Sequence, residues 1–316
     1  LHASATMGRL RTAVRTLADV DLPPDELLTR LDDLVARLSA EGPATAHDGV
    51  GADLGASCVY AVYDPVSRCV TVARAGHPVP AVVTPEGKAY FPDIPAGPPL
   101  GLGGLPFESA EIRLPEGSLL VLYTDGLIES RNADIDVGQE RLRQAISHAD
   151  PSPEVTADDV LTALLPDRPV DDVALLIART RRLDDDRVAT WDIEADPAMV
   201  ALARKYATEQ LENWGLGDAA IVTELVVSEL ITNAIRHAVP PIRLRLIYDR
   251  SLICEVSDSS STAPHLRRAR AMDEGGRGLM LVAQLADRWG TRQTPTGKII
   301  WAEQAVHVPV PEAATA

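Results

Sequence analysis

Residues 223–237 read TELVVSELITNAIRH, and the reading of the second half of the chain grows from them. Leu225, Val226, Leu230, Ile231, Ala234 and Ile235 recur at three- and four-residue intervals, which predicts a helix. Glu229, Asn233 and His237 form a second stripe, each one turn beyond the last, so all three project from one side. A carboxylate and a carboxamide one turn apart suit the neighbourhood of a phosphate-bound metal. The amide oxygen can ligate Mg²⁺, and the carboxylate can orient or deprotonate a nucleophile. The same stripe is also the wet face of an ordinary amphipathic helix, and taken alone the stretch favours that plainer reading. His237 reads as a core or helix-end histidine and Arg236 as a surface residue; neither is assigned a catalytic role.

Two further pieces follow in order. SLICEVSD (251–258) is an apolar strand ending on Asp258, with Ser259, Ser260, Ser261 and Pro264 after it. A carboxylate held at a strand end can accept a hydrogen bond from an exocyclic amine. Gly275-Gly276-Arg277-Gly278 then precedes a helix expected over 279–289. Glycines let backbone amides approach phosphate, and a helix N-terminus favours negative charge. Around these pieces the pattern predicts a strand at 188–194, helices at 197–215 and 218–238, a hairpin from 242–249 and 251–258, and a last strand at 297–306. Each piece alone is a weak signal; their order and spacing are much rarer.

The set resembles the Bergerat-type ATPase fold of gyrase, the ninety-kilodalton heat-shock proteins and histidine kinases. Within that group it is most similar to the small serine kinases that act as anti-sigma factors, over residues 186–308. The resemblance implies that Glu229 is the general base and that Asn233 ligates the Mg²⁺ of MgATP. It implies that Asp258 reads the adenine amine, and that Gly276, Arg277 and Gly278 hold the phosphates under a lid at 262–274. Two positions depart from the family pattern: Ser260 stands where glycine is usual, and Ile299 where a threonine helps to fix the adenine. Both departures imply reduced ATP affinity.

The first half reads differently. GRLRTAVRTLA (8–18) and PDELLTRLDDLVARLS (24–39) predict helices, and 41–56 a loop. Strands at 57–63 and 68–74 flank the turn Asp64-Pro65-Val66-Ser67, and strands at 79–84 and 88–91 flank Pro85-Glu86-Gly87. A Pro- and Gly-rich structured loop covers 92–106. Residues 107–114 and 117–124 read as a third strand pair around Pro115-Glu116. Helices are expected at 138–148 and 155–165, and a last buried strand at 171–179. Asp125 and the pair Asp171-Asp172 sit at strand ends, where carboxylates can share hard divalent cations. The same residues also suit plain turns.

AGHPVPAVV (75–83), GPPLGLG (97–103), LVLYTDGLIE (120–129) and VDDVALL (170–176) together resemble the SpoIIE-like family, metal-dependent serine/threonine phosphatases of the type 2C class. By that resemblance Asp125 and Asp172 are metal ligands for Mn²⁺ or Mg²⁺, and Gly76 and His77 belong to a structural turn. The family's first metal-binding aspartates lie upstream of the helix at 8–18, and His2 resembles the residue after its glycine-histidine-glycine turn. The expectation is therefore of an N-terminally incomplete phosphatase domain, with little hydrolysis of a phosphoserine peptide by these 316 residues alone.

The expected architecture is α+β in two domains. A type 2C phosphatase-like β-sandwich flanked by helices fills 1–180, a Bergerat-type α/β-sandwich fills 186–308, and 309–316 is a disordered tail. With 46 acidic and 30 basic residues the net charge is −16, which argues against nucleic-acid or anionic-membrane binding. No apolar run reaches the length of a membrane span. Cys58, Cys69 and Cys254 read as free thiols in a reducing cytoplasm. The resemblances imply a bacterial signalling protein with opposed phosphatase and ATP-dependent kinase modules. Its partners would be a phosphorylated anti-sigma-factor antagonist, a sigma factor and a second copy of the chain. The alternatives are an ATP- or protein-binding module without phosphotransfer on an inactive phosphatase fragment, and a histidine-kinase ATPase half.

Overall fold

Alternating apolar residues in the first half build two facing sheets. The computed structural model describes residues 2–40, 55–104, 106–129, 135–147, 152–165, 172–260, 277–294 and 296–306. It divides into two units, Leu1–Ala18 with Pro23–Arg182, and Asp19–Leu22 with Leu183–Ala316.

The first unit runs α1 (His2–Ala18), α2 (Pro24–Ala40), β1 (Cys58–Asp64), β2 (Cys69–Ala75), β3 (Ala81–Val83), β4 (Ala89–Tyr90), β5 (Ser109–Arg113), β6 (Leu119–Tyr123), α3 (Ile135–Ile146), α4 (Pro153–Leu164) and β7 (Leu175–Arg179). One sheet has the order β1-β2-β5 and the other β4-β3-β6-β7, with all pairs antiparallel. Val70 and Val72 of the first sheet pack on Val82 and Leu120 of the second. The alternate residues Ala81, Val83, Leu119, Val121 and Tyr123 face Leu142 and Ile146 of α3 and Val160 and Leu164 of α4. Period-two strands thus serve two cores at once.

Three expectations need correction here. Residues 107–114 and 117–124 are not a strand pair: β5 pairs with β2, and β6 pairs with β3 and β7, so the chain changes sheet at Pro115-Glu116. The strand at 171–179 begins only at Leu175 and is half exposed, because β7 is the outer strand of its sheet. Helix α3 starts three residues earlier than expected, at Ile135. Its Gly138 is buried, and a Cβ there would fall 2.1 Å from the Ile128 carbonyl oxygen.

The second unit runs β8 (Val188–Ile193), α5 (Met199–Asn213), α6 (Ala220–His237), β9 (Ile242–Tyr248), β10 (Leu252–Asp258), α7 (Arg277–Leu285), β11 (Arg288–Thr294) and β12 (Gly297–Gln304). Its single antiparallel sheet has the order β11-β12-β10-β9-β8. Leu244, Leu246, Cys254, Val256, Ile300 and Ala302 pack on one face against Ala203 and Ala207 of α5, Val226, Leu230 and Ile231 of α6, and Val282 of α7. The opposite face carries Glu255, whose carboxylate accepts from Arg245 Nε at 2.7 Å and from Arg292 Nη2 at 3.0 Å. The unit also takes in the turn at Asp19–Leu22, where Asp21 accepts from Trp301 Nε1.

The helix expected over 279–289 ends at Leu285, and a strand not foreseen, β11, follows it. Gly290 makes that strand fit, since a Cβ there would lie 2.8 Å from the Trp301 ring. Both units mix antiparallel sheet and helix, as expected for α+β. Among the described residues no helix is long and apolar enough to cross a membrane. The three cysteines are unpaired, Cys254 buried and Cys58 and Cys69 half-buried. Residues 309–316 lie outside the described residues.

Candidate functional site

In the second unit, α6 buries Val226, Val227, Leu230, Ile231 and Ala234 and leaves Glu229 and Asn233 half-buried one turn apart. His237, one further turn along, is exposed. The start of α7 lies directly on Glu229: a Cβ at Gly278 would fall 2.3 Å from Glu229 Oε2. A larger residue at 278 would push the Glu229 carboxylate aside, so glycine lets the start of α7 and this side chain keep their close approach. Arg277 is the first residue of α7. Gly276, Gly275 and the expected lid at 262–274 lie outside the described residues.

Asp258 ends β10 and is buried. Its Oδ1 accepts from the Ser260 amide at 2.7 Å and from Ser260 Oγ at 2.5 Å. Directly across the ladder stands Lys298, whose Nζ donates to Ser260 Oγ at 2.5 Å and lies 3.5 Å from Asp258 Oδ2. A buried carboxylate is costly without such a partner. β12 can approach because residue 297 is glycine; a Cβ there would fall 1.9 Å from the Asp258 carbonyl oxygen. The Ser259 amide donates to the Val239 carbonyl at 2.8 Å, which ties the end of β10 to the segment leaving α6. Lys298 went unremarked in the sequence, although strand alternation with inward Ile300 and Ala302 was a usable signal. The same alternation puts the Ile299 side chain on the opposite face, opposite Ser257, in a hollow whose rim also includes Asp258 and Ser259. The residue types fit a nucleotide: a buried carboxylate at a strand end, a carboxylate–carboxamide stripe, and a glycine at a helix start beside that stripe.

In the first unit Asp125 and Asp172 come to one edge of the four-stranded sheet. β6 and β7 pair Tyr123 with Leu175, so Asp125 and Asp172 lie just beyond the same end of the ladder. Thr124 clasps the two segments: its amide donates to the Ala174 carbonyl at 3.0 Å, and its Oγ1 accepts from the Ala174 amide at 2.8 Å and donates to the Asp172 carbonyl at 3.3 Å. Both aspartates are exposed. Gly76 adopts φ of +60°, its amide donates to the Gly97 carbonyl at 2.8 Å, and a Cβ on it would meet Pro99 at 2.7 Å. His77 Nδ1 lies 3.2 Å from Ser57 Oγ. Burial pushes the His77 imidazole below its usual range, while the Asp125 carboxylate pulls it upward. Arg74, a residue the sequence reading passed over, donates to the carbonyls of Ile94, Pro95 and His77 and so fixes this turn.

Among the described residues no group of three or more His, Cys, Asp or Glu side chains gathers to hold a metal ion. Two carboxylates are nonetheless a fitting donor set for Mg²⁺ or Mn²⁺, hard cations that keep waters and take phosphate oxygens beside one or two carboxylates. Asp171 lies outside the described residues.

The family comparison agrees with this division. The family Stage II sporulation protein E (SpoIIE) matches residues 1–181, more than half of the 316, and the chain belongs to that family. The histidine kinase-like ATPase domain matches residues 193–303. The chain thus joins a SpoIIE phosphatase domain to a kinase-like ATPase domain, the combination its motifs led us to expect.

Among solved structures, the RsbU and RsbW domains of Rv1364c from Mycobacterium tuberculosis are 22% identical with a TM-score of 0.49, covering 98% of this chain and 82% of that one. The phosphatase domain of the cell fate determinant SpoIIE from Bacillus subtilis, presoaked with Mn, is 10% identical with a TM-score of 0.35, covering 56% of this chain and 73% of that one.

Proposed function

We propose that the chain is a bacterial, cytoplasmic signalling protein with two opposed phosphate chemistries. Its first unit removes phosphate from serine or threonine of a protein, and its second binds ATP and phosphorylates a serine. The protein acted on is an anti-sigma-factor antagonist, with a sigma factor as a further partner and a second copy of the chain as a dimer partner. What carries the reading is the union, in one chain, of a phosphatase-family match with an ATPase-domain match.

In the first unit, Asp125 and Asp172 hold a Mn²⁺ or Mg²⁺ ion between two strand ends of a rigid sheet. That ion, when bound, neutralises phosphate charge and activates water for direct hydrolysis. Thr124 sets the spacing of the two ligand-bearing segments. Gly76 and His77 shape the neighbouring turn rather than bind the cation.

In the second unit, Glu229 takes the proton from the attacking serine hydroxyl. Asn233, one turn on, holds the Mg²⁺ of MgATP through its amide oxygen. Asp258 accepts from the adenine amine. The amides at Gly276, Arg277 and Gly278, at the start of α7, receive the phosphates.

The test is Glu229→Ala in the full chain. Phosphotransfer from ATP to serine of an antagonist protein should fall on the order of 10²- to 10⁴-fold, with ATP affinity held within a few-fold. Wild-type chain that binds ATP but shows no phosphotransfer would establish the rival reading, a binding module without phosphotransfer. Phosphohistidine in place of acid-stable phosphoserine would favour a histidine-kinase ATPase half. For the first unit, Mn²⁺-dependent hydrolysis of a phosphoserine peptide that survives Asp125→Asn unchanged would remove Asp125 from the metal site.

A further inference from the structure

We propose that Lys298 and Ser260 are the positioning residues of base recognition: together they fix Asp258 so that Oδ2 alone is presented to the exocyclic amine of the nucleotide. The inference rests on the ATP reading of the second unit and extends it to two residues that reading does not use.

The argument starts from burial. The side chains of Lys298 and Asp258 are 6% and 2% exposed. A buried ion pair is weak evidence for stability, since desolvation offsets most of the attraction. Retaining one at the end of a ladder therefore asks for another reason. The hydrogen bonds supply it. Both donors of Ser260, its amide and its hydroxyl, go to Asp258 Oδ1, at 2.7 and 2.5 Å. The hydroxyl is in turn held by Lys298 Nζ at 2.5 Å. The chain of contacts runs from ammonium to hydroxyl to Oδ1, and it fills that oxygen. Oδ2 faces the ammonium only at 3.5 Å, outside a good hydrogen bond, and keeps acceptor capacity.

The carboxylate cannot turn to exchange its two oxygens without breaking both Ser260 bonds. Its backbone is fixed as well. Gly297 packs on the Asp258 carbonyl, and the Ser259 amide is tied to Val239. Every freedom of the side chain is thus removed except the choice of what meets Oδ2. Ser260 becomes, on this reading, a second-position anchor for the carboxylate instead of a defect in the nucleotide site. Ile299 pairs with Ser257, one register position from Asp258, so its side chain projects from the other face of the sheet and takes no part.

The experiment is isothermal titration of the full chain with MgATP and with the Mg²⁺ complex of purine riboside triphosphate, which lacks only the exocyclic amine. Wild type should prefer ATP by about tenfold or more, the scale of a hydrogen bond to a charged acceptor. Lys298→Met, close in shape and uncharged, should bring the ratio below about threefold, because the carboxylate is no longer held. Ser260→Ala keeps the Asp258–Lys298 pair and removes only the hydroxyl that holds Oδ1, so it should lower the ratio as well, with a smaller loss of stability than Lys298→Met. A merely structural lysine would show stability falling in Lys298→Met with the ratio unchanged. A folded Lys298→Met that keeps the wild-type ratio overturns the proposal. Should Lys298→Met not fold, a wild-type ratio in Ser260→Ala overturns it instead. Wild type that binds both nucleotides equally removes the base contact but leaves a nucleotide site standing, and wild type that binds neither removes the ATP reading itself.

Discussion

The two units treat their key carboxylates in opposite ways. Asp125 and Asp172 stand exposed at one end of a strand pair whose two segments the Thr124 side chain ties together. Asp258 is buried, with an ammonium and a serine already on it. On the proposed roles, a metal ligand stays exposed to water until a cation arrives, where its charge costs little. A group that reads a neutral amine has to be desolvated and oriented beforehand, and burial then requires an internal counter-ion. The difference teaches that chemistry, rather than residue type, dictates where an aspartate sits in a sheet.

The comparison can be broken first at Asp258. Asp258→Asn should leave the Lys298 ammonium buried without its carboxylate and destabilise the second unit by about 3–5 kcal/mol. Urea unfolding followed by Trp fluorescence measures it, and a loss under about 1 kcal/mol would mean the pair is not truly compensating. Asp125→Asn and Asp172→Asn should act on the metal instead. Mn²⁺ affinity should fall by about 10–100-fold in either variant, and in Asp125→Asn stability without metal should hold or rise slightly, because a like charge is removed. Calorimetric Mn²⁺ titration reads this directly, and unchanged affinity would place the cation elsewhere.

A smaller effect sharpens the clasp. Thr124→Val removes the hydroxyl that serves both Asp172 and Ala174. It should cost about 1 kcal/mol and weaken Mn²⁺ binding with both aspartates intact. The same loss of Mn²⁺ affinity in Ser118→Ala, whose hydroxyl donates to the Pro115 carbonyl, would show that any damage to this sheet suffices.

The least disruptive probe is thiol labelling. Burial pushes the Cys58 thiol up to about 11 and raises the fully buried Cys254 thiol as well. At pH 8 both should react with a thiol reagent far more slowly than in urea, since the thiolate is the reactive form. Fast labelling of Cys254 in the native chain would contradict the packing of β10 against the helices.

Much of this was legible in the sequence where local period and local chemistry coincide. The α6 stripe, the β1–β2 and β9–β10 hairpins and the strand ending on Asp258 all announce themselves within a dozen residues. What stayed hidden depends on distant partners. Pro115-Glu116 looks like a hairpin turn, but β5 and β6 choose β2 and β3, which no local pattern states. RWGTRQT (288–294) is polar enough to pass for the end of a helix, and it becomes a strand because β12 lies beside it. The Thr124 clasp and the Lys298 contact join segments roughly forty to fifty residues apart in sequence. A buried lysine is unusual enough that only its parity with Ile300 and Ala302 pointed inward.

The cross-strand position of Lys298 opposite Asp258 also bears on how the sheet assembles. Strand alignment has a period of two, so a slip of β12 by one residue would carry the ammonium to the far face and bring Ile299 to Asp258. The carboxylate would then keep its Ser260 hydrogen bonds but face an aliphatic side chain in place of its counter-ion. The ion pair that prepares a ligand contact thereby also sorts alignments during folding, admitting the one in which the two charges meet.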